Sequence, residues 1–132
     1  MMKSKLVNQE EERIRESVSR LSIDDIKVFY EKTSRQIKDP DTYQTLNYIF
    51  ICGLHHFYIG KYLRGLTNLL SFIIGIVLLF LGYFKTGILL IVIVFVIELY
   101  ELFRSNVIIK DYNNKLMNKT LLEVTEKSIY KM

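Results

Sequence analysis

His55 and His56 are adjacent, and Glu98 and Glu101 lie three positions apart further along the chain. These are the side chains whose types could do chemistry. Imidazoles and carboxylates can share protons, pair as ions or hold a metal. All four sit in or beside strongly apolar sequence. Ionisable groups there are costly and face protein or water rather than lipid. A Glu that meets a His at such a boundary makes a charge-assisted hydrogen bond. The first reading is therefore structural: histidines and glutamates tie helices together. An ion or proton pathway is the main alternative. A metal site is weaker, because adjacent histidines on a helix project about 100° apart. A soft metal would also prefer Cys52, which is the single cysteine. Hydrolysis is weaker still. No nucleophile stands with a base and an orienting acid, and His-Glu-x-x-His is absent. No catalytic residue, cofactor or metal is expected.

The elements that must position these groups are hydrophobic. Gln44–Gly60 is apolar apart from its His-His-Phe-Tyr cluster, Leu66–Phe84 is almost purely apolar, and so is Gly87–Ile97. The charges of the 132-residue chain collect at its ends, and between Gly65 and Ile97 the only charged residue is Lys85. A membrane span needs about 20 mostly apolar residues. Leu66–Phe84 is the clearest candidate, and Ser71 with Gly75 offers a small-x-x-x-small contact face. Gly82–Gly87 reads as a tight turn, and Ile88–Phe103 as a second span that absorbs both glutamates. Tyr43–Gly60 just reaches spanning length, with Tyr43, Tyr48, Tyr58 and Tyr62 as interfacial anchors. Gly53, His56 and Gly60 would share a face that a neighbouring helix can approach.

The tails are charged. The net charge is +4 with both histidines neutral. No basic stripe suggests nucleic acid. Met1–Arg20 lacks an apolar core and is not expected to be a signal peptide. Met1–Lys5 is expected to be disordered and Asn8–Arg20 helical, with Ile14, Val18 and Leu21 as a narrow apolar stripe. Ser22 caps a second helix, Asp25 completes a capping box, and the helix ends near Ile37. After residue 103, Asp111–Asn114 reads as a break, followed by an amphipathic helix carrying Leu116, Met117, Leu121, Leu122 and Val124. Lys32, Arg35 and Lys38 precede the first apolar segment, and bases outnumber acids in the C-terminal tail. Both tails look cytoplasmic by the positive-inside rule. That requires an even number of crossings, whereas three apolar segments would give an odd one. Two and three crossings both stay open.

The run Gly53-Leu54-His55-His56-Phe57-Tyr58-Ile59-Gly60 resembles the TM2 domain family, whose signature is Gly-x-His, commonly Arg, then Phe-Tyr-x-Gly. Gly65-Leu66-Thr67-Asn68-Leu69-Leu70 is similar to the stretch that opens the family's second half, with Asn68 where Gln is frequent. Glu101, with Glu98 as the other candidate, matches the family's acidic position, and Asn113 matches an Asn further on. The resemblance covers about Thr42–Asn114. His56 stands where Arg is common, the glycines before Gly53 are missing, the chain has no tryptophan, and the interval from Gly65 to Glu101 is longer than usual. The resemblance implies a compact pair of transmembrane helices. It implies no reaction.

The sequence thus predicts an all-α integral membrane protein. Two or three packed transmembrane helices (residues 42–103) carry short cytoplasmic amphipathic helices at both ends (residues 1–41 and 104–132). The implied location is a bacterial cytoplasmic membrane, with the N-terminus inside. The implied partners are the lipid bilayer and either further copies of the chain or another membrane protein, with no nucleic acid and no small-molecule substrate. The role expected is structural or interaction-based; the alternative is a small ion or proton channel subunit using His55 or His56 with Glu98 or Glu101.

Overall fold

The computed structural model describes residues 2–49 and 53–130. Seven helices and no strand occur among the described residues. In chain order they are α1 (Met2–Ser19), α2 (Ile23–Ser34), α3 (Pro40–Ile49), α4 (Leu54–Tyr58), α5 (Tyr62–Phe80), α6 (Phe84–Phe103) and α7 (Ser105–Ile129). The chain divides into two compact units. One is Pro40–Ser105; the other joins the sequence up to Asp39 with the sequence from Asn106 onward.

In the first unit, α5 and α6 form an antiparallel hairpin, and both are long and apolar enough to cross a membrane. The turn between them is a Schellman motif. Gly82 takes φ +84°, its N–H donates to Leu79 O, and the Tyr83 N–H donates to Leu78 O. Left-handed backbone costs glycine least, and the motif satisfies carbonyls that the helix end would otherwise orphan. The helices meet most closely where Gly75 faces Gly87. A Cβ on Gly87 would lie 2.8 Å from Gly75 O, and one on Gly75 would lie 2.7 Å from Ile91 Cγ1. The close partner of Gly75 is therefore this glycine of α6, while Ser71 stays half-buried. The outer faces are bare: only 11% of the apolar window of α5 and 17% of that of α6 is buried.

The third candidate span is not a span. Tyr43–Gly60 is divided into α3 and the single-turn α4, each far too short to cross. Gly53, at φ +90°, sets the start of α4. It also lies against α5, where a Cβ would come within 3.0 Å of Asn68 Cβ and 3.2 Å of Gly65 O. The close approach expected along Gly53, His56 and Gly60 thus occurs at Gly53. Gly60 instead forms a left-handed turn with open space around it. Cys52 lies outside the described residues.

In the second unit, α1 begins at Met2, so Lys3–Lys5 is helical rather than disordered. Ile14 and Val18 of α1, Phe29 of α2 and Val124 of α7 form a buried cluster, flanked by Leu21, Ile26, Met117 and Leu121. Ser22 caps α2 as expected by accepting from the Asp25 N–H, but the helix ends at Ser34, short of Ile37. The break expected at Asp111–Asn114 is absent, and α7 runs through it. Those asparagines are engaged in tertiary bonds instead of local turns. Asn113 accepts from the Lys38 N–H and donates to Lys38 O, both at 2.9 Å, and Asn114 donates to Val7 O at 2.8 Å. The two tails make one helical unit.

Replacing Gly87 with Val should destabilise the hairpin by about 1–3 kcal/mol, the usual cost of overpacking. Thermal unfolding in detergent micelles measures it. Ile88→Val, at a position 54% exposed, should change stability by less than about 0.5 kcal/mol.

A buried polar cluster at one end of the hairpin

Each helix of the hairpin unit supplies part of one cluster. Glu98 and Glu101, one turn apart on α6, point to the same side. His55 and His56 come from α4, Tyr43 and Asn47 from α3, and Asn68 and Arg64 from α5. His55, His56, Glu98, Tyr43 and Asn47 are almost wholly buried. The expected divergence of the two histidines does not occur: their ring centroids are 4.1 Å apart and tilted by 39°. A single-turn helix closed by the Gly60 turn lets both rings reach one interior. That turn is again a Schellman motif, with Gly60 N–H donating to Phe57 O and Lys61 N–H to His56 O.

The histidines and glutamates meet as expected, though not as ordinary hydrogen bonds. His55 Nε2 lies 3.2 Å from Glu98 Oε2 and 3.4 Å from Glu101 Oε2. His56 Nδ1 lies 3.6 Å from Glu101 Oε2. These separations suit ion pairs, yet both ring nitrogens of His55, Nδ1 of His56 and Oε2 of Glu98 are buried with no hydrogen-bond partner among the described residues. For His55 Nε2 the fault is direction, since both oxygens are near but neither lies along the ring N–H. Such orphaned polar atoms are costly and scarce in folded proteins.

The rest of the cluster is well bonded. Asn68 Nδ2 donates to Glu98 Oε1 and lies 3.3 Å from His56 Nε2. Tyr43 donates its hydroxyl to Glu101 Oε2 at 3.2 Å and packs edge-on to His55. Asn47 Nδ2 donates to Glu98 O at 3.1 Å. Arg64 Nη1 is 3.6 Å from Glu101 Oε1, but its side chain is 67% exposed, so this contact adds little. Burial lowers the pKa of His56 to about 4, and the neighbouring His55 adds to the effect. Burial and then Glu101 push the Tyr43 hydroxyl upward, which keeps it a donor. A groove lined by Leu63, Arg64, Thr67 and Ile97 leads in to His56 and Glu101.

Of the residues singled out by sequence, His55, His56, Asn68, Glu98 and Glu101 come together. Phe57 packs on Gly65, where a Cβ would stand 2.6 Å from its ring. Gly53 and Gly60 shape α4, and Tyr58 is half-buried. Asn113 belongs to the other unit and is engaged with Lys38. Tyr43 was expected as an interfacial anchor but is fully buried, unlike Tyr48 and Tyr62. Tyr43 and Asn47 are the buried members that the sequence reading missed. Their spacing of four is the available signal, because it sets two hydrogen-bonding side chains on one face of α3. No family model matches the chain, and no curated protein or solved structure is significantly similar to it.

Asn68→Ala should cost about 1–3 kcal/mol, because it strips a donor from buried Glu98. Thr67→Ala removes only an exposed bond to Leu63 O and should be nearly neutral. Denaturant unfolding of both variants in the same detergent makes the comparison.

Proposed function

We propose that this chain is a small, non-enzymatic membrane protein with an interaction or assembly role. In this reading α5 and α6 form a hairpin in the bilayer of a bacterial cytoplasmic membrane, and both tails lie together on the cytoplasmic side. One observation carries it. Two apolar helices with bare outer faces are bracketed in sequence by segments that share one core, Ile14, Val18 and Phe29 with Val124. Segments that fold together lie on one side of a membrane, so the chain between them crosses an even number of times. The basic residues of both tails favour the cytoplasmic side. The resemblance to the TM2 domain family points the same way. The bare faces suit lipid, or lipid and another copy of the hairpin.

The channel alternative has less support. His55, His56, Glu98 and Glu101 gather at one end of the hairpin. Between Gly65 and Ile97 the sequence has no charged residue except Lys85, near the opposite turn. A proton or ion route through one chain would need polar groups along that length.

Cysteine accessibility in intact cells tests the topology. With Cys52 replaced, single cysteines at Ser4 and Ser128 should both be shielded from an impermeant reagent, and one at Thr86 should label. Labelling of Ser128 but not Ser4 would overturn the hairpin reading. Crosslinking in native membranes should give a reproducible oligomer or partner; a strictly monomeric species with no partner would remove the assembly role.

A further inference from the structure

We propose that His55, His56 and Glu101, with Glu98 beside them, form a binding site for one divalent first-row transition metal ion. One ligand atom from each of His55, His56 and Glu101 lies within 4.8 Å of the others. His55 Nε2 lies 3.4 Å from Glu101 Oε2, and His56 Nδ1 lies 3.6 Å from the same oxygen. Four-coordinate zinc has bonds of about 2.0–2.1 Å to nitrogen and oxygen, which sets neighbouring ligand atoms about 3.3 Å apart. Glu98 Oε2, 3.2 Å from His55 Nε2, stands ready as a further ligand.

The orphaned atoms supply the independent observation. His55 is completely buried, and its Nε2 has two carboxylate oxygens nearby but off its axis. Two ligands of one ion stand in that relation, each aimed at the ion rather than at the other. A hydrogen-bonded ion pair would instead place an oxygen along the N–H. Imidazole nitrogen with carboxylate oxygen suits zinc, cobalt, iron or manganese, and a 2+ charge offsets that of the two glutamates. Outer contacts are also in place. Tyr43 donates to the Glu101 oxygen that would bind, and Asn68 abuts His56 Nε2. The Asn68 amide nitrogen also donates to Glu98 Oε1, which orients that carboxylate beside the other ligands. Ordered outer partners of this kind hold metal ligands in place. The groove at His56 and Glu101 gives an ion a way in.

The test uses the full chain in detergent, without a histidine tag, stripped with a chelator and then titrated with Co2+. The expected result is one equivalent bound, with the visible absorption of low-coordinate cobalt, displaced by Zn2+. The chain has two histidines, His55 and His56, so Zn2+ should also shift the imidazole nitrogen NMR signals of both. Glu101→Gln and His55→Gln should each weaken binding at least tenfold, whereas Glu123→Gln should leave it unchanged. If a variant does not fold, the wild-type titration and the imidazole signals decide. Absence of a cobalt band, or zinc that leaves the imidazole signals of both histidines unshifted, would overturn the site. So would folded variants that bind as tightly as the wild type.

Discussion

Two carboxylates on an otherwise apolar helix set the terms for the hairpin unit. Glu98 and Glu101 end a run that is otherwise suited to lipid, and neither can face hydrocarbon unaccompanied. The segment before the hairpin meets that demand. α3 brings Tyr43 and Asn47, α4 brings two imidazoles, and α5 turns Asn68 inward. Gly53 and Gly65 then make sense as the places where this cover is pressed onto α5. Without the glutamates nothing would require the buried polar side chains of α3 and α4.

Much of this was legible in the sequence, and the failures have physical causes. Apolar length identified α5 and α6, two long runs rich in Leu, Ile and Val whose outer faces are bare. The same measure misjudged Tyr43–Gly60. Length and hydropathy do not register a left-handed glycine, and Gly53 in that conformation starts α4 as a separate, single-turn element. The meeting of His with Glu followed from the cost of isolated charge. The convergence of His55 and His56 did not, because helical projection angles apply to long helices and α4 is one turn. Tyr43 illustrates a different limit. A tyrosine near a membrane segment fits an interfacial belt equally well until a buried carboxylate is known to lie within reach of its hydroxyl.

The tail unit shows how side chains can override local preference. Asn113 and Asn114 have the composition of a turn, since asparagine readily bonds nearby backbone. Here both amides find distant backbone partners, Lys38 and Val7, and the helix continues past them. Exposed ion pairs at the surface, such as Lys32 with Glu123, add register more than stability. The apolar cluster is small, so its few members matter individually.

That cluster also imposes an order of assembly. Ile14, Val18 and Phe29 emerge from the ribosome before the hairpin, and Val124 only after it. The N-terminal helices therefore wait, with their apolar stripe unmet, while the two long helices are made. Contacts so distant along the chain form slowly. During biosynthesis that stripe is a natural place for a chaperone, or for the C-terminal helix of a neighbouring copy, to bind first.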